Sequence, residues 1–274
     1  MVDDAAFKTE LTARWDAGAA AYDETPRHGI LHEDEWVAWR RLVAAMLGDP
    51  AHAGVPRLRV LDVGTGTGVL AMLAAGLGHE VVGLDLSDGM LAQARRKAIG
   101  AGLDVSFRKG DAEALPDDLG SFDAVVSRQL LWTLPDPVRA LVGWRAVVRP
   151  GGLIALVDMV HRPRAWPLGT ATRIIRSWQR RRTHEAPHAA GHAYPDAAYD
   201  RLPLGRQVDT AAVERCLRAA GLERVRIRSL AEVDRVERRH LGRLDRLADD
   251  WRRYLATARV PAAEGRDDHT RPSR

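Results

Sequence analysis

Cysteine is almost missing from this chain: of 274 residues only Cys216 carries a thiol. One thiol cannot close an internal disulfide or supply the ligands of a cysteine-bound iron–sulfur cluster, and such usage fits a reducing, cytoplasmic setting. Lysine is nearly missing too. It occurs only as Lys8, Lys97 and Lys109, so almost all basic charge is arginine, and the net charge is only +4. A coding bias accounts for that as well as a polyanionic partner does. The run Arg180-Arg181-Arg182 is the one segment with an electrostatic footprint for nucleic acid, whereas the basic residues of 235–246 are interleaved with acids and read as a solvated helical face. No apolar run reaches the length of a membrane span, and the acidic start Asp3-Asp4 is unlike a secretory leader. Cys216 falls in a helix-like stretch and reads as a buried structural thiol.

What the chain does have is glycine in a telling place. Val60-Leu61-Asp62-Val63 is an apolar run that meets Gly64, Gly66 and Gly68 at alternate positions, and Val69-Leu70 opens a helix-like run. This reads as a buried parallel strand, a tight turn and a helix start, with free N–H groups facing a ligand that has a nucleoside part. A phosphate-binding P-loop would need Lys and a hydroxyl residue after the last glycine, where Val69 and Leu70 stand. A dinucleotide turn would need a third glycine where Val69 or Ala71 stands, and the second of these spacings keeps that reading open. Asp62, ahead of the turn, disfavours a pyrophosphate and suits a cationic ligand.

Further strands follow. Glu80-Val81-Val82-Gly83-Leu84-Asp85 ends in an acid about 20 residues past the turn, the spacing that serves a ribose hydroxyl. Ser87 and Asp88 suit a helix N-cap. A third strand is expected at 105–108, a fourth at 122–127 and a fifth at 153–157, the last introduced by Pro150-Gly151-Gly152.

Together these segments resemble the class I S-adenosylmethionine (SAM)-dependent methyltransferases. The matching residues are Leu61-Asp62-Val63-Gly64-Thr65-Gly66-Thr67-Gly68, Gly83-Leu84-Asp85-Leu86-Ser87, Gly110-Asp111-Ala112, Phe122-Asp123-Ala124-Val125-Val126 and Arg149-Pro150-Gly151-Gly152, in the family's order. The branch they resemble most acts on small molecules, like the ubiquinone- and menaquinone-biosynthesis enzymes. The resemblance implies an α/β fold: a Rossmann-like, seven-stranded, mostly parallel sheet with helices on both faces, an N-terminal helical cap and an inserted lid. It also implies site roles. Asp62, Gly64, Thr65, Gly66 and Gly68 would hold the methionine part of SAM. Asp85 would bind the ribose, Leu86 and Met90 would flank the adenine, and Asp111 and Ala112 would meet its edge. Ser127, Arg128 and Gln129 would lie near the transferred group, with Arg128 able to pair with a carboxylate of SAM or of the substrate.

Five segments are expected: a cap at 1–57, the core at 58–160, a substrate-covering insertion at 161–208, the rest of the core at 209–260 and a disordered tail at 261–274. The cap should contain helices at 4–17 and 33–47. Between them, Tyr22 and His28 are candidate catalytic groups with Arg128. Trp36, Trp132, Tyr194 and Tyr199 are candidate substrate contacts, although core packing is the better account of Trp36 and Trp39. His184, His188 and His192 recur every four residues, but Pro187 breaks a helix there and no ligand set is completed, so no metal site is expected. Beyond the insertion come a helix at 210–220, a strand at 223–228, a helix at 232–249 and a last, antiparallel strand at 251–260.

The function implied is in-line methyl transfer to N, O or C of a small molecule, by a monomer or homodimer needing neither nucleic acid nor membrane. Three other readings are kept: reaction of the aminocarboxypropyl arm of SAM, a non-catalytic SAM-fold binding module, and a nicotinamide-dependent reductase.

Overall fold

The computed structural model describes residues 4–161, 199, 201–205 and 209–262. The N-terminal part holds α1 (Asp4–Gly18), a 3-10 turn (Ala19–Glu24) and α2 (Glu33–Leu47). Strand and helix then alternate: β1 (Arg59–Val63), α3 (Val69–Gly76), β2 (Glu80–Asp85), α4 (Asp88–Gly100), β3 (Ser106–Lys109), β4 (Phe122–Arg128), α5 (Pro137–Val147) and β5 (Val148–His161). The chain closes with α6 (Thr210–Ala219), β6 (Glu223–Ser229), α7 (Ala231–His240), α8 (Arg243–Ala248) and β7 (Trp251–Arg259).

All seven strands form one sheet in the order β3-β2-β1-β4-β5-β7-β6. Strands β1 to β5 pair in parallel, and β7 runs antiparallel between β5 and β6. This is the Rossmann-like fold expected from the sequence. The central strands are buried on both faces, which is why they read as continuous apolar runs. On one face Leu61, Val125, Ile154 and Leu156 pack with Leu141 and Trp144 of α5 and Val213 and Leu217 of α6. On the other, Val60, Val126, Ala155 and Val157 pack with Trp39 and Val43 of α2 and Leu70 and Leu73 of α3. The chain leaves β1 toward β2 and later returns to β4 on its other side. That change of direction opens a crevice at the carboxyl ends of β1 and β4, where open α/β sheets bind ligands.

Several boundaries differ from expectation. The fifth strand is Val148–His161 rather than 153–157, because Pro150-Gly151-Gly152 is a kink inside it. The third and fourth strands run to Lys109 and Arg128. The single helix expected at 232–249 is two, because Leu241 (ψ 142) and Gly242 (ψ 158) are extended. Asp249 is thereby freed from a helix end to become an ion-pair partner. His161 belongs to β5, and apart from 161, 199 and 201–205 the expected insertion lies outside the described residues, with Tyr194, His184, His188 and His192. Residues 263–274 of the expected tail also lie outside them.

A buried ionic cluster ties the segment after the 3-10 turn to the last elements. Arg27 Nη2 lies 2.7 Å from Asp249 Oδ2, and its Nη1 lies 3.4 Å from Asp234 Oδ1. Arg253, 1% exposed, donates through Nε to Glu237 (2.8 Å) and through Nη2 to the Arg27 carbonyl (2.8 Å). Glu237 also accepts from Trp39 Nε1 at 3.1 Å. Burying these charges is costly, and only complete pairing offsets that cost. Replacing Glu237 with Ala would strand the Arg253 guanidinium and the indole N–H together. Chemical denaturation of E237A should therefore show a loss of about 3–5 kcal/mol.

Candidate active site

The crevice is bounded by the β1–α3 turn, the ends of β2, β3 and β4, and one face of α1. The turn is held from below. Gly64, Gly66 and Gly68 all take left-handed φ (67°, 54° and 87°), which L side chains adopt only under strain. At Gly68 a Cβ would also crowd Ala94 and Phe107 at 3.2 and 3.3 Å, where α4 and β3 pack closely behind the turn. Asp62 Oδ2 accepts from the Thr65 hydroxyl (2.7 Å) and from the Ala71 N–H (3.0 Å). Asp85 accepts from the Gly66 N–H (2.8 Å) and the Ser87 N–H (2.9 Å). Burial raises both carboxyls above their usual range despite these hydrogen bonds, Asp62 to about 7.

Among the expected site residues, Gly64, Gly66, Asp85, Leu86, Met90, Asp111, Ala112, Tyr22 and Arg128 line the crevice. Asp62, Thr65 and Gly68 do not. Asp62 is 1% exposed; its Oδ2 holds the loop, and its Oδ1 is buried with no hydrogen-bond partner. Ser127 is likewise structural, its hydroxyl donating to the Val63 carbonyl. His28 is buried behind Tyr22, the rings stacked at 4.9 Å, and its carbonyl accepts from Arg128. Trp36 packs against the core beside α2. Trp132 stacks on Tyr199 (centroids 6.3 Å apart) in a cluster with Phe7, Leu11 and Leu202, one layer behind the crevice wall.

Other wall residues escaped the site candidates. Lys8, Leu11, Thr12 and Trp15 line the crevice from α1. Their spacing is i, i+3, i+4, i+7, one face of a helix, and that periodicity was the available signal. Gln129, expected near the transferred group, also lines it, from a left-handed backbone (φ 56°), with both amide atoms buried and without a hydrogen-bond partner. Arg128 Nη1 is buried and unpartnered as well, while its guanidinium lies 5.2 Å from the Trp39 ring centroid. Burial holds the Arg128 pKa below its ordinary value and raises that of Tyr22, so the phenol is a hydrogen-bond donor at neutral pH. The crevice thus offers an apolar slot edged by acids at the β2 and β3 end, and unsatisfied donors at the β4 end. Among the described residues no cluster of His, Cys, Asp and Glu could hold a metal, and no helix is long and apolar enough to cross a membrane.

Comparison with known proteins agrees with this geometry. Residues 61–156 match the family model described as a methyltransferase domain. A demethylmenaquinone methyltransferase of Renibacterium salmoninarum is 38% identical over 152 residues, which are 56% of this chain and 60% of the relative. The match thus spans about three fifths of that relative's length. Among solved structures, Haemonchus contortus phosphoethanolamine N-methyltransferase 2, in complex with phosphomonomethylethanolamine and S-adenosylhomocysteine, superposes with a TM-score of 0.58 at 19% identity, over 90% of this chain and 58% of that one. The [4+2]-cyclase SpnF superposes at 0.53 with 23% identity, over 82% and 81% of the two chains. These likenesses are of fold.

At the carboxyl end of β5, Asp158 is 3% exposed, and burial raises its carboxyl to about 7 although Arg253 and Arg128 pull it down. An acid that holds its proton more tightly when folded stabilises the fold at low pH. That contribution is lost as pH rises from the ordinary carboxylate range through about 7. Asp158 Oδ1 accepts only from the Met159 N–H, which an Asn oxygen can replace. D158N should therefore flatten the decline in unfolding free energy between pH 4 and 7, as measured by urea titration at a series of pH values.

Proposed function

We propose that this protein is a SAM-dependent methyltransferase acting on a small molecule. The observation that carries the reading is Asp85. Its two oxygens are fixed by the Gly66 and Ser87 N–H groups at the crevice edge, beside the apolar slot of Leu86, Met90 and Ala112. A carboxylate held in this way has lone pairs left for a vicinal diol, and the slot suits a flat base. The residues present therefore fit a nucleoside cofactor. The methyltransferase-domain match over 61–156 and the quinone-methylating relative support SAM over a dinucleotide.

When bound, SAM supplies a methyl group already activated by the sulfonium. The protein's work is then alignment and exclusion of water. Leu11 and Trp15 close the crevice from above, and Gly64 and Gly66 let the backbone approach the ligand. Arg128 Nη1 offers a charge-assisted hydrogen bond to a carboxylate, and Gln129 offers one donor and one acceptor face to the methyl acceptor. His28 stands behind Tyr22, so of the three expected catalytic groups Tyr22 and Arg128 are the ones that line the crevice. The enclosed, largely apolar wall favours a small molecule over nucleic acid.

Two measurements test this. Calorimetry should show S-adenosylhomocysteine binding to the wild type, and D85N should weaken it about ten- to a hundredfold, the worth of hydrogen bonds to a charged group. Mass spectrometry of turnover in a metabolite extract should find S-adenosylhomocysteine as the co-product. Methylthioadenosine instead would assign the reaction to the aminocarboxypropyl arm, and no binding at all would remove the cofactor reading.

A further inference from the structure

Lys8 reaches from α1 across the crevice to the turn after β3. Its ammonium lies 2.6 Å from Asp111 Oδ2 and 2.5 Å from Glu113 Oε2. Both partners are rigid. Asp111 Oδ1 accepts from the Glu113 N–H at 2.9 Å. The Glu113 side chain is fully buried, and its other oxygen accepts from the Asp136 N–H at 2.6 Å. The Ala112 carbonyl between them accepts from Trp144 Nε1 at 2.8 Å. Burial would lower the Lys8 pKa, but the hydrogen bonds and charges of the two acids outweigh it and leave the ammonium above its ordinary value. Each Asp111 oxygen therefore has one protein partner and one lone pair left, at the edge of the slot made by Leu86, Met90 and Ala112.

A carboxylate clamped between an ammonium and a backbone N–H can only accept hydrogen bonds. A purine 6-amino group placed at the free lone pairs satisfies it, whereas a 6-oxo oxygen in the same place is repelled and the N1–H of a 6-oxopurine lies one ring position away. We infer that Lys8 is a positioning residue for base selectivity, holding Asp111 as an acceptor so that the slot takes a 6-aminopurine and rejects a 6-oxopurine. This rests on the nucleoside-cofactor reading above. It also makes closure of α1 part of base recognition, since the clamp exists only when the helix lies over the crevice.

The test is calorimetry of the full chain with S-adenosylhomocysteine and with S-inosylhomocysteine, which differs by the 6-oxo group. Wild type should prefer the adenosyl compound by about a hundredfold or more, because a site built around a hydrogen bond rejects the analogue that lacks it. K8M should lower that preference about tenfold, and D111N, whose amide can turn either face, should abolish it. Equal weakening of both ligands by K8M would show that Lys8 only packs the helix and would overturn the inference. So would an unchanged K8M, or a wild type that binds both ligands alike. A wild type that binds neither ligand instead removes the cofactor reading itself.

Discussion

The glycine turn between β1 and α3 keeps its shape because two acids, the buried Asp62 and the half-buried Asp85, hold it from two neighbouring strands. Parallel pairing brings β1 and β2 to the same edge, and each ends in or near an acid. Asp62 takes the Thr65 hydroxyl and the first turn of α3, while Asp85 takes the Gly66 N–H and the start of the loop to α4. As glycines the three left-handed residues in a row of five are unstrained, and the anchors select this one shape from the many a glycine-rich turn can take. The crevice, the slot behind Met90 and the helix that roofs it all take their positions from this turn.

The roof is fastened in three places. Lys8 meets Asp111 and Glu113. Asp16 accepts from the Ser87 hydroxyl (2.5 Å) and the Gly89 N–H (2.8 Å). Asp23 meets the Thr67 hydroxyl and Lys97, each at 2.6 Å. Two of the chain's three lysines serve these fastenings. That distribution has a physical logic. A compact ammonium satisfies two carboxylates around one point, whereas the planar fork of arginine suits paired oxygens in a line. Arginine is found in the deeper cluster with Asp249 and Glu237, where its several donors are shared among acids and a backbone carbonyl.

What could be read from the sequence were the local patterns: the glycine spacing, the acid ending β2 and the continuous apolar strands. The loop-holding bonds of Asp62 to Thr65 and Ala71 were not legible, because sequence does not tell which groups of the turn a charge beside it will meet. The break at Leu241-Gly242 hid in a run that is helical by composition. The Arg27–Asp249 pair joins residues 222 apart and leaves no local trace. The place of Gln129 was expected but its conformation was not: a left-handed backbone at a non-glycine residue has no sequence signature. The i, i+3, i+4, i+7 face of α1 was visible, but nothing in a single helix says which neighbour its face will meet.

The two halves of the crevice therefore have different origins. The slot, the glycine turn and Asp85 belong to the segment that matches the methyltransferase domain, 61–156, and so do Arg128 and Gln129. The roof from α1 and the ionic cluster that fixes Arg27 lie outside it. Arg128 joins the two, since its guanidinium is held by the His28 carbonyl and lies against Trp39 of α2. The segment carrying Tyr22 and His28 is set by Arg27, whose φ of 73° is strained and whose carbonyl is bound by Arg253. A change in the distant β7–α7 cluster thus bears on the Arg128 end of the crevice before the Asp85 end. On the function proposed above, residues of the cap and the last strand would vary acceptor choice while the half built by 61–156 stays as it is.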